Sequence, residues 1–404
     1  MGIFKCAAAA LISVSFCAVP AFAEEQKAAK WYDSLSIGGG ITSILQTSSG
    51  NNDPADVNSG DNLDFTNSVD IRIESEVGPD QKLAIALEAG MGNGLTGRVG
   101  KSTFRPNYDA YPTVFSNRGG SSQQGLTVSQ AYYNGMFFDH TVMLMVGRMD
   151  CHSMMDKNEF ANSETTQFIG GPFVRTPGAL FPEFGQSGQY YANGVMVVLT
   201  PTEMIEITLM AANGEADKAG SSGHIGAQLN IRPKLNGQPG NYRLYTMQDD
   251  RNHADITTGE MKAALAYGIS FDQYLSDEIG LFLRYSKQDS KLQIVDNTGI
   301  ALGNDPLETM MSGGFQFSGA LWDREADAVG IGYVVGKMKP DVKKAHETLL
   351  GGSLSGDQTM IEAYYRWQAT PKMGLSADIQ SHSNLPRLKS REFTAFALRM
   401  QLDF

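Results

Sequence analysis

Three short stretches of this 404-residue chain set guanidinium, carboxylate and amide groups two residues apart. Arg148 and Asp150 stand in "VGRMD". Glu362, Arg366 and Gln368, with Tyr364 among them, stand in "IEAYYRWQ", and Asp378 and Gln380 in "SADIQS". Residues two apart share one face of an extended chain, so each set turns its polar groups to one side. Arg324 and Asp327 in "WDREAD" and Glu159 in "DKNEF" add to the inventory. Guanidinium and carboxylate rings with amide and aromatic neighbours hydrogen-bond sugar hydroxyls and stack on sugar faces. Facing rows of opposite charge also order water and filter ions. The same pairs serve equally as structural ion pairs inside a wet wall.

Groups that would break or make covalent bonds are harder to assemble. "GNGLTG" at Gly92–Gly97 matches the dinucleotide pattern G-x-G-x-x-G and follows a strand-like run. That reading needs a helix next, within a βαβ unit. "RVGKSTFRPNYDAYP" follows instead, with two prolines and no helical period. "GKS" at Gly100–Ser102 lacks the upstream glycine of a phosphate-binding loop, because Leu95 stands there. His140, His152, His224, His253, His346 and His382 include no pair at metal-ligand spacing. Cys151 beside His152 has no sequence-visible third partner. No serine–histidine pair can be placed on a lipid-facing wall. The residues point to no enzyme, no metal and no cofactor.

The elements that must carry these groups are strands. "TAFALRMQLDF" puts Thr394, Phe396, Leu398, Met400, Leu402 and Phe404 on one face. Ala395, Ala397, Arg399, Gln401 and Asp403 fall on the other. "NLDFTNSVDIRIESEV" sorts Leu63, Phe65, Val69, Ile71, Ile73 and Val77 away from Asp64, Thr66, Ser68, Asp70, Arg72, Glu74 and Glu76. "GPD" turns the chain and "QKLAIALEAG" continues it, which makes a hairpin. Similar runs fall near 34–45, 126–138, 141–148, 189–199, 204–212, 225–232 and 242–247. Others lie near 260–271, 279–288, 314–322, 326–335, 360–369, 373–381 and 393–404. The total is about 16 strands.

Many runs are about 10 residues long, enough for a tilted strand to cross a bilayer. Some joins are very short, and others are long and rich in Gly, Asn, Asp and Ser. That asymmetry predicts a transmembrane antiparallel β-barrel, all-β, with apolar residues facing lipid and polar ones facing water. A soluble sandwich would need one core large enough for every apolar face. Trp31, Tyr32, Tyr274, Trp322, Trp367 and Phe404 suit the two interfacial girdles. The chain ends inside a strand because that strand pairs with the first and removes the open edges. Residues 151–188 carry Met154, Phe160, Phe168, Phe173, Leu180, Phe181 and Phe184 without clear period. Such a segment is expected inside the barrel, as an inward-folded constriction loop.

The front end indicates where such a barrel lives. Lys5, an apolar run and "AFA" before "EEQ" make residues 1–23 a signal peptide for Sec-type export. Residues 24–404 remain as the barrel. Cys6 and Cys17 leave with the signal, so no internal disulfide is expected. The formal charge of −12 argues against nucleic acid as a partner.

"GRMD", "DKNEFANSETTQF", "FSGALWDREADAVGIGYVVGK", "MIEAYYRWQATPKMGLSADIQ" and the closing "FALRMQLDF" resemble the carbohydrate-selective outer-membrane porin family. The similarity spans roughly the second strand to the end. It departs at Met91–Gln124, a long unmatched insert, and at the "PRLKSREF" hairpin. The resemblance implies a sixteen-stranded barrel in the outer membrane of a Gram-negative bacterium, passing sugars and other small hydrophilic solutes passively. It implies outer-membrane lipid and the barrel-assembly machinery as partners, and either a monomer or a trimer. Arg148, Asp150, Glu159, Arg324, Asp327, Glu362, Arg366, Gln368, Asp378 and Gln380 are the expected pore-lining residues, with Arg324 and Asp327 nearer the rim. A general cation-leaning diffusion pore is the alternative suggested by the acidic charge. A surface adhesin that uses the 91–124 insert is a third reading.

Overall fold

A computed structural model of the chain describes residues 34–51, 60–61, 63–99, 104–109, 126–150, 155–176, 192–213, 223–255, 257–294, 307–350, 356–385 and 391–404. Residues 1–23 and Cys151 lie outside the described residues. The chain opens with β1 (Ser36–Ser49), β2 (Asp64–Gly78), β3 (Gln81–Met91), β4 (Thr127–Phe137) and β5 (Val142–Met149). Next come β6 (Ala192–Thr202), β7 (Ile205–Asn213), β8 (Gly223–Ile231) and the two-residue β9 (Lys234–Leu235). β10 (Gln238–Asp255), β11 (Met261–Tyr274) and β12 (Ile279–Gln288) precede the three-residue β13 (Leu292–Ile294). β14 (Leu307–Ser318), β15 (Ala328–Met338), β16 (Gln358–Thr370), β17 (Met373–Leu385) and β18 (Arg391–Asp403) complete the order.

With the stubs β9 and β13 set aside, the strands form a closed 16-stranded antiparallel barrel. Each long strand pairs with the next, and β18 closes on β1 with Arg399 opposite Ile44. Phe404 and Gly39 exchange both backbone hydrogen bonds at the seam (3.0 and 3.2 Å). The short turns lie at the same rim as this seam, and the long connections lie at the other. In outer-membrane barrels the short-turn rim is periplasmic.

The barrel is polar inside and apolar outside. On β18, Phe396 and Leu398 are 45% and 61% exposed, whereas Ala397 and Arg399 between and beside them are 5% and 2% exposed. On β2, Thr66 and Ser68 are buried, while Phe65 is exposed. Exposed Ile85, Leu209, Leu265, Phe315, Ile331, Ile361 and Ile379 continue the outer face around the wall. Water does not tolerate so broad an apolar surface; the acyl region of a bilayer does. Among the described residues no helix is long and apolar enough to cross a membrane.

The observed strands differ from the expected ones chiefly at their ends. The run near 242–247 is the middle of an 18-residue strand. Its continuation, "QDDRNHAD", is polar on both faces, so alternation is lost although pairing persists to Ala254. The run near 314–322 begins earlier, at Leu307, and stops at Ser318. There the Ser318 hydroxyl accepts the Ala320 N–H and starts a 3-10 turn over Gly319–Trp322.

Ile379 lies on the outer face of β17, level with Ala363 and Phe396. Changing Ile379 to Arg should cost up to about 2–4 kcal/mol if that level is the bilayer midplane. Reversible unfolding from lipid vesicles measures it; a cost near zero would place this face away from hydrocarbon.

Candidate solute-conducting site

The inward wall does not enclose open water alone. Two segments from the long-loop rim fold back onto it, residues 94–109 and 155–176 in their described parts. The second is fixed chiefly by its own backbone groups. Arg284, fully buried on β12, donates from Nη1 to the Phe173 carbonyl (2.6 Å). Its Nη2 donates to the Asp156 carbonyl and to Asn162 Oδ1 (both 2.9 Å). Arg399 on β18 donates from Nη1 to the Glu164 carbonyl (2.6 Å) and from Nη2 to Ser376 Oγ (3.0 Å). Glu362 on β16 accepts the N–H groups of Ile169 (2.7 Å) and Gly170 (2.9 Å). A buried loop carries peptide groups that water cannot reach, and the charged side chains of the wall supply their partners.

Apolar packing completes the fit. Phe168 stacks on Phe173 (ring centroids 4.5 Å apart) and meets Phe282 and Tyr364 edge-on. Phe160 meets Tyr274 edge-on. Glycines on the wall make the room: a Cβ on Gly280 would lie 2.2 Å from the Phe160 ring, and one on Gly332 2.7 Å from Phe173.

The first segment runs through a short helix, Gly94–Val99. Leu95, Phe104 and Asn107 are fully enclosed. The Pro106 carbonyl accepts from Gln46 (3.1 Å) and Gln380 (2.8 Å). Asn107 Nδ2 donates to Thr66 (3.0 Å), and the Ser68 hydroxyl donates to Asp109 (2.9 Å). The two segments bind each other, Tyr108 N–H to the Ile169 carbonyl and Gly171 N–H to the Arg105 carbonyl, both at 2.8 Å. Burial holds the Asp109 carboxyl well above the ordinary carboxylate range. Nearby Glu164, Asp70 and Glu88 push the same way, against the Ser68 hydrogen bond.

The expected residues separate into groups. Glu362, Asp378 and Gln380 converge beneath the inward segments: Gln380 Nε2 donates to Glu362 Oε2 (3.2 Å), and Asp378 lies 3.9 Å from Arg399. Arg366 shares the inward face of β16 with Glu362 and Tyr364 and is half-buried. Gln368 sits at the short-turn end, its amide on the Thr370 carbonyl. Asp150 follows β5 and pairs with Arg175 (2.7 Å). Arg148 does not meet Asp150; its Nε donates to the Ser129 carbonyl (2.9 Å). Glu159 is exposed on the second segment. Arg324 and Asp327 do not join the lumen group. They pair with each other at the short-turn rim, among Tyr365 and Trp367 of the outer face.

Arg284, Gln46, Thr66, Ser68 and Asp109 are additions. Arg284 sits in "GLFLRYSKQ", where Gly280, Phe282, Arg284, Ser286 and Gln288 alternate inward. Inward Phe282 breaks the polar pattern there, because it faces the second segment and not water. Among the described residues no group of three His, Cys, Asp or Glu is arranged to hold a metal ion.

A family model described as carbohydrate-selective porin, OprB family, matches residues 55–404. A search of curated proteins finds no match. Among solved structures, the high-pH structure of Pseudomonas putida OprB aligns with a TM-score of 0.72 at 16% identity, covering 92% of this chain and 94% of that one. The low-pH structure of the same protein gives 0.54 at 12% identity, covering 92% and 93%. The outer-membrane channel DcaP of Acinetobacter baumannii gives 0.52 at 12% identity, covering 92% and 97%. At these identities the structural likeness is one of fold.

Two changes probe the anchoring. Glu362→Gln leaves a single acceptor oxygen for two backbone donors, and about 1–3 kcal/mol of docking should be lost. Protease cleavage within 155–176 and noisier single-channel current should both increase; an unchanged channel would show that the carboxylate is dispensable. Asp109 gives a pH dependence of defined sign. Its pKa is raised inside, so docking of 104–109 is strongest when it is protonated. Docking should weaken as pH rises through the ordinary carboxyl range and level off above the raised value. Asp109→Asn should flatten that dependence in open-channel current recorded against pH.

Proposed function

The chain belongs to the carbohydrate-selective porin family, and from that premise we propose how its lumen selects solute. The protein is a passive outer-membrane channel; its family and fold are those of channels, not of enzymes. Sugars and similar small hydrophilic solutes pass between the inward segments and the wall, and no bond is made or broken. Residues 1–23 serve Sec-type export, 24–404 form the barrel, and 151–188 act as its constriction loop. The closing strand that ends at Phe404 serves as the signal to the barrel-assembly machinery.

One observation carries the solute reading. Arg366 faces the lumen, is half-buried, and has no hydrogen bond or ion pair among the described residues. The other lumen arginines are engaged: Arg284 and Arg399 hold backbone carbonyls, and Arg175 holds Asp150. A guanidinium with unspent donors beside a watery path suits transient binding of hydroxyl groups. Asp150, Glu159, Glu362, Asp378, Gln380 and Arg148 shape the path around it, several of them by positioning the inward segments.

The cation-leaning alternative draws on carboxyl groups that lie near one another, Asp70 with Glu88 and Glu164 and Asp109 with all three, although burial favours the protonated form of Asp109 and takes that charge out of the group. The adhesin reading loses support, because the described parts of the 91–124 insert turn inward.

Planar-bilayer recording tests the proposal. Added sugar should reduce ion current in a concentration-dependent way. Arg366→Ala should weaken that block about tenfold, the loss of one hydrogen bond to a charged donor, while the channel stays open. Strong cation selectivity in the reversal potential with no sugar block would favour the general pore.

A further inference from the structure

Solute passage does not account for Arg324 and Asp327. They lie in the turn before β15, on the outward side of the wall, beside a crevice of about 460 Å³. Arg324, Tyr365, Trp367, Leu375, Ala377 and Leu398 line it. Strand register creates the hollow. Ala377 stands between Tyr365 on β16 and Leu398 on β18, a methyl group in a row of large side chains. Trp367 and Leu375 face each other one step nearer the periplasmic rim.

The cation at the periplasmic edge of the crevice is held in place. Arg324 Nε and Nη2 bind the two oxygens of Asp327 (2.5 and 3.2 Å). Asp327 also accepts from the Tyr365 hydroxyl (2.5 Å) and the Gln368 N–H (2.9 Å). The guanidinium lies 5.8 Å from the Trp367 ring centroid. Asp327 is thereby almost wholly enclosed, whereas the Arg324 side chain stays 45% exposed. Nη1 makes no hydrogen bond among the described residues.

The surroundings fix the kind of occupant. Hydrocarbon solvates this outer face, so an acyl chain fills an apolar notch there. Tyr365 and Trp367 mark headgroup depth, and an exposed guanidinium at that depth attracts an anionic headgroup. We propose that the crevice binds one anionic phospholipid of the inner leaflet, with its phosphate at Arg324 and one acyl chain over Ala377. A second copy of the chain would instead present another apolar wall, with nothing anionic for the exposed edge of Arg324.

Trp367 can report occupancy. Of the three tryptophans, Trp31 and Trp322 are changed to Phe in the full-length protein, which is then placed in phosphatidylcholine vesicles. Chain-brominated phosphatidylglycerol and chain-brominated phosphatidylcholine are compared as quenchers at equal mole fraction. The anionic lipid should associate about fivefold more strongly, the effect of one basic side chain near headgroups. Arg324→Gln should bring the two lipids to parity. Ala377→Leu should fill the notch and lower quenching by phosphatidylglycerol without altering sugar block of the channel. If Arg324→Gln does not fold, the preference of the parent protein should still shrink at high salt. Equal quenching by both lipids in the parent would overturn the proposal. So would a preference that survives both Arg324→Gln and high salt, or shielding of Trp367 from both lipids together with a dimeric mass.

Discussion

Hydrocarbon offers a peptide group nothing to bond with, and each unpaired N–H or C=O left there costs several kcal/mol. Closing the sheet removes that cost in one stroke, and the rest of this structure depends on it. β1 and β18 lie at opposite ends of the chain, yet they pair from Gly40 opposite Asp403 to Ser49 opposite Thr394. The pairing extends to Phe404, which exchanges backbone hydrogen bonds with Gly39.

Closure then dictates the interior. With lipid outside, the inward face of each strand is free to be polar, and the segments folded into the lumen exploit this. They bring peptide groups into a place where water is scarce, so the wall must answer them. Arg284 and Arg399 spend their donors on carbonyl oxygens, and Glu362 spends both oxygens on N–H groups. The charges act first as partners for backbone. Among the described residues Asp378, close to Arg399, has neither oxygen hydrogen-bonded, whereas both oxygens of Glu362 beside it accept N–H groups. Arg366 is the contrasting case, a lumen guanidinium with no backbone to hold.

The fold was legible because a barrel strand must alternate for its full crossing. "FALRMQLDF" sorts completely, and "DFTNSVDIRIESEV" sorts every charge to one face with only Asn67 and Ser75 among the apolar residues of the other; the structure keeps that parity from Phe396 to Arg399 and from Phe65 to Ser68. Legibility ended where the physical demand changed. Above the bilayer both faces of β10 are polar, so "QDDRNHAD" reads as a loop although it pairs. Inside the lumen, Phe282 faces inward against the usual rule, because Phe168 covers it. The site was legible in part. Two-residue spacing puts Glu362 on one face of its run and Asp378 and Gln380 on one face of the next, but that these faces adjoin is visible only in the register, where Glu362 stands opposite Gln380. Arg324 and Asp327 share the same residue types but lie in a turn, where spacing assigns no face. The inward course of the described residues 94–99 and 104–109 carries no periodic signal, since their position depends on partners scattered from Gln46 to Gln380.

A strand wall also has two readers, and β16 to β18 satisfy both with a single register. Glu362 opposite Gln380, and Asp378 between Tyr364 and Ala397, belong to the lumen. Tyr365, Ala377 and Leu398, one position along on each strand, belong to the lipid. A slip of one residue would put Arg399 into hydrocarbon and Leu398 into the lumen, so each face independently enforces the same pairing. The constraint falls on parity, not on identity: any apolar residue serves outside, and any side chain that answers its neighbours serves inside. A wall built this way keeps its shape while most of its residues change, and an alignment over 92% of the chain at 16% identity is what such a constraint allows.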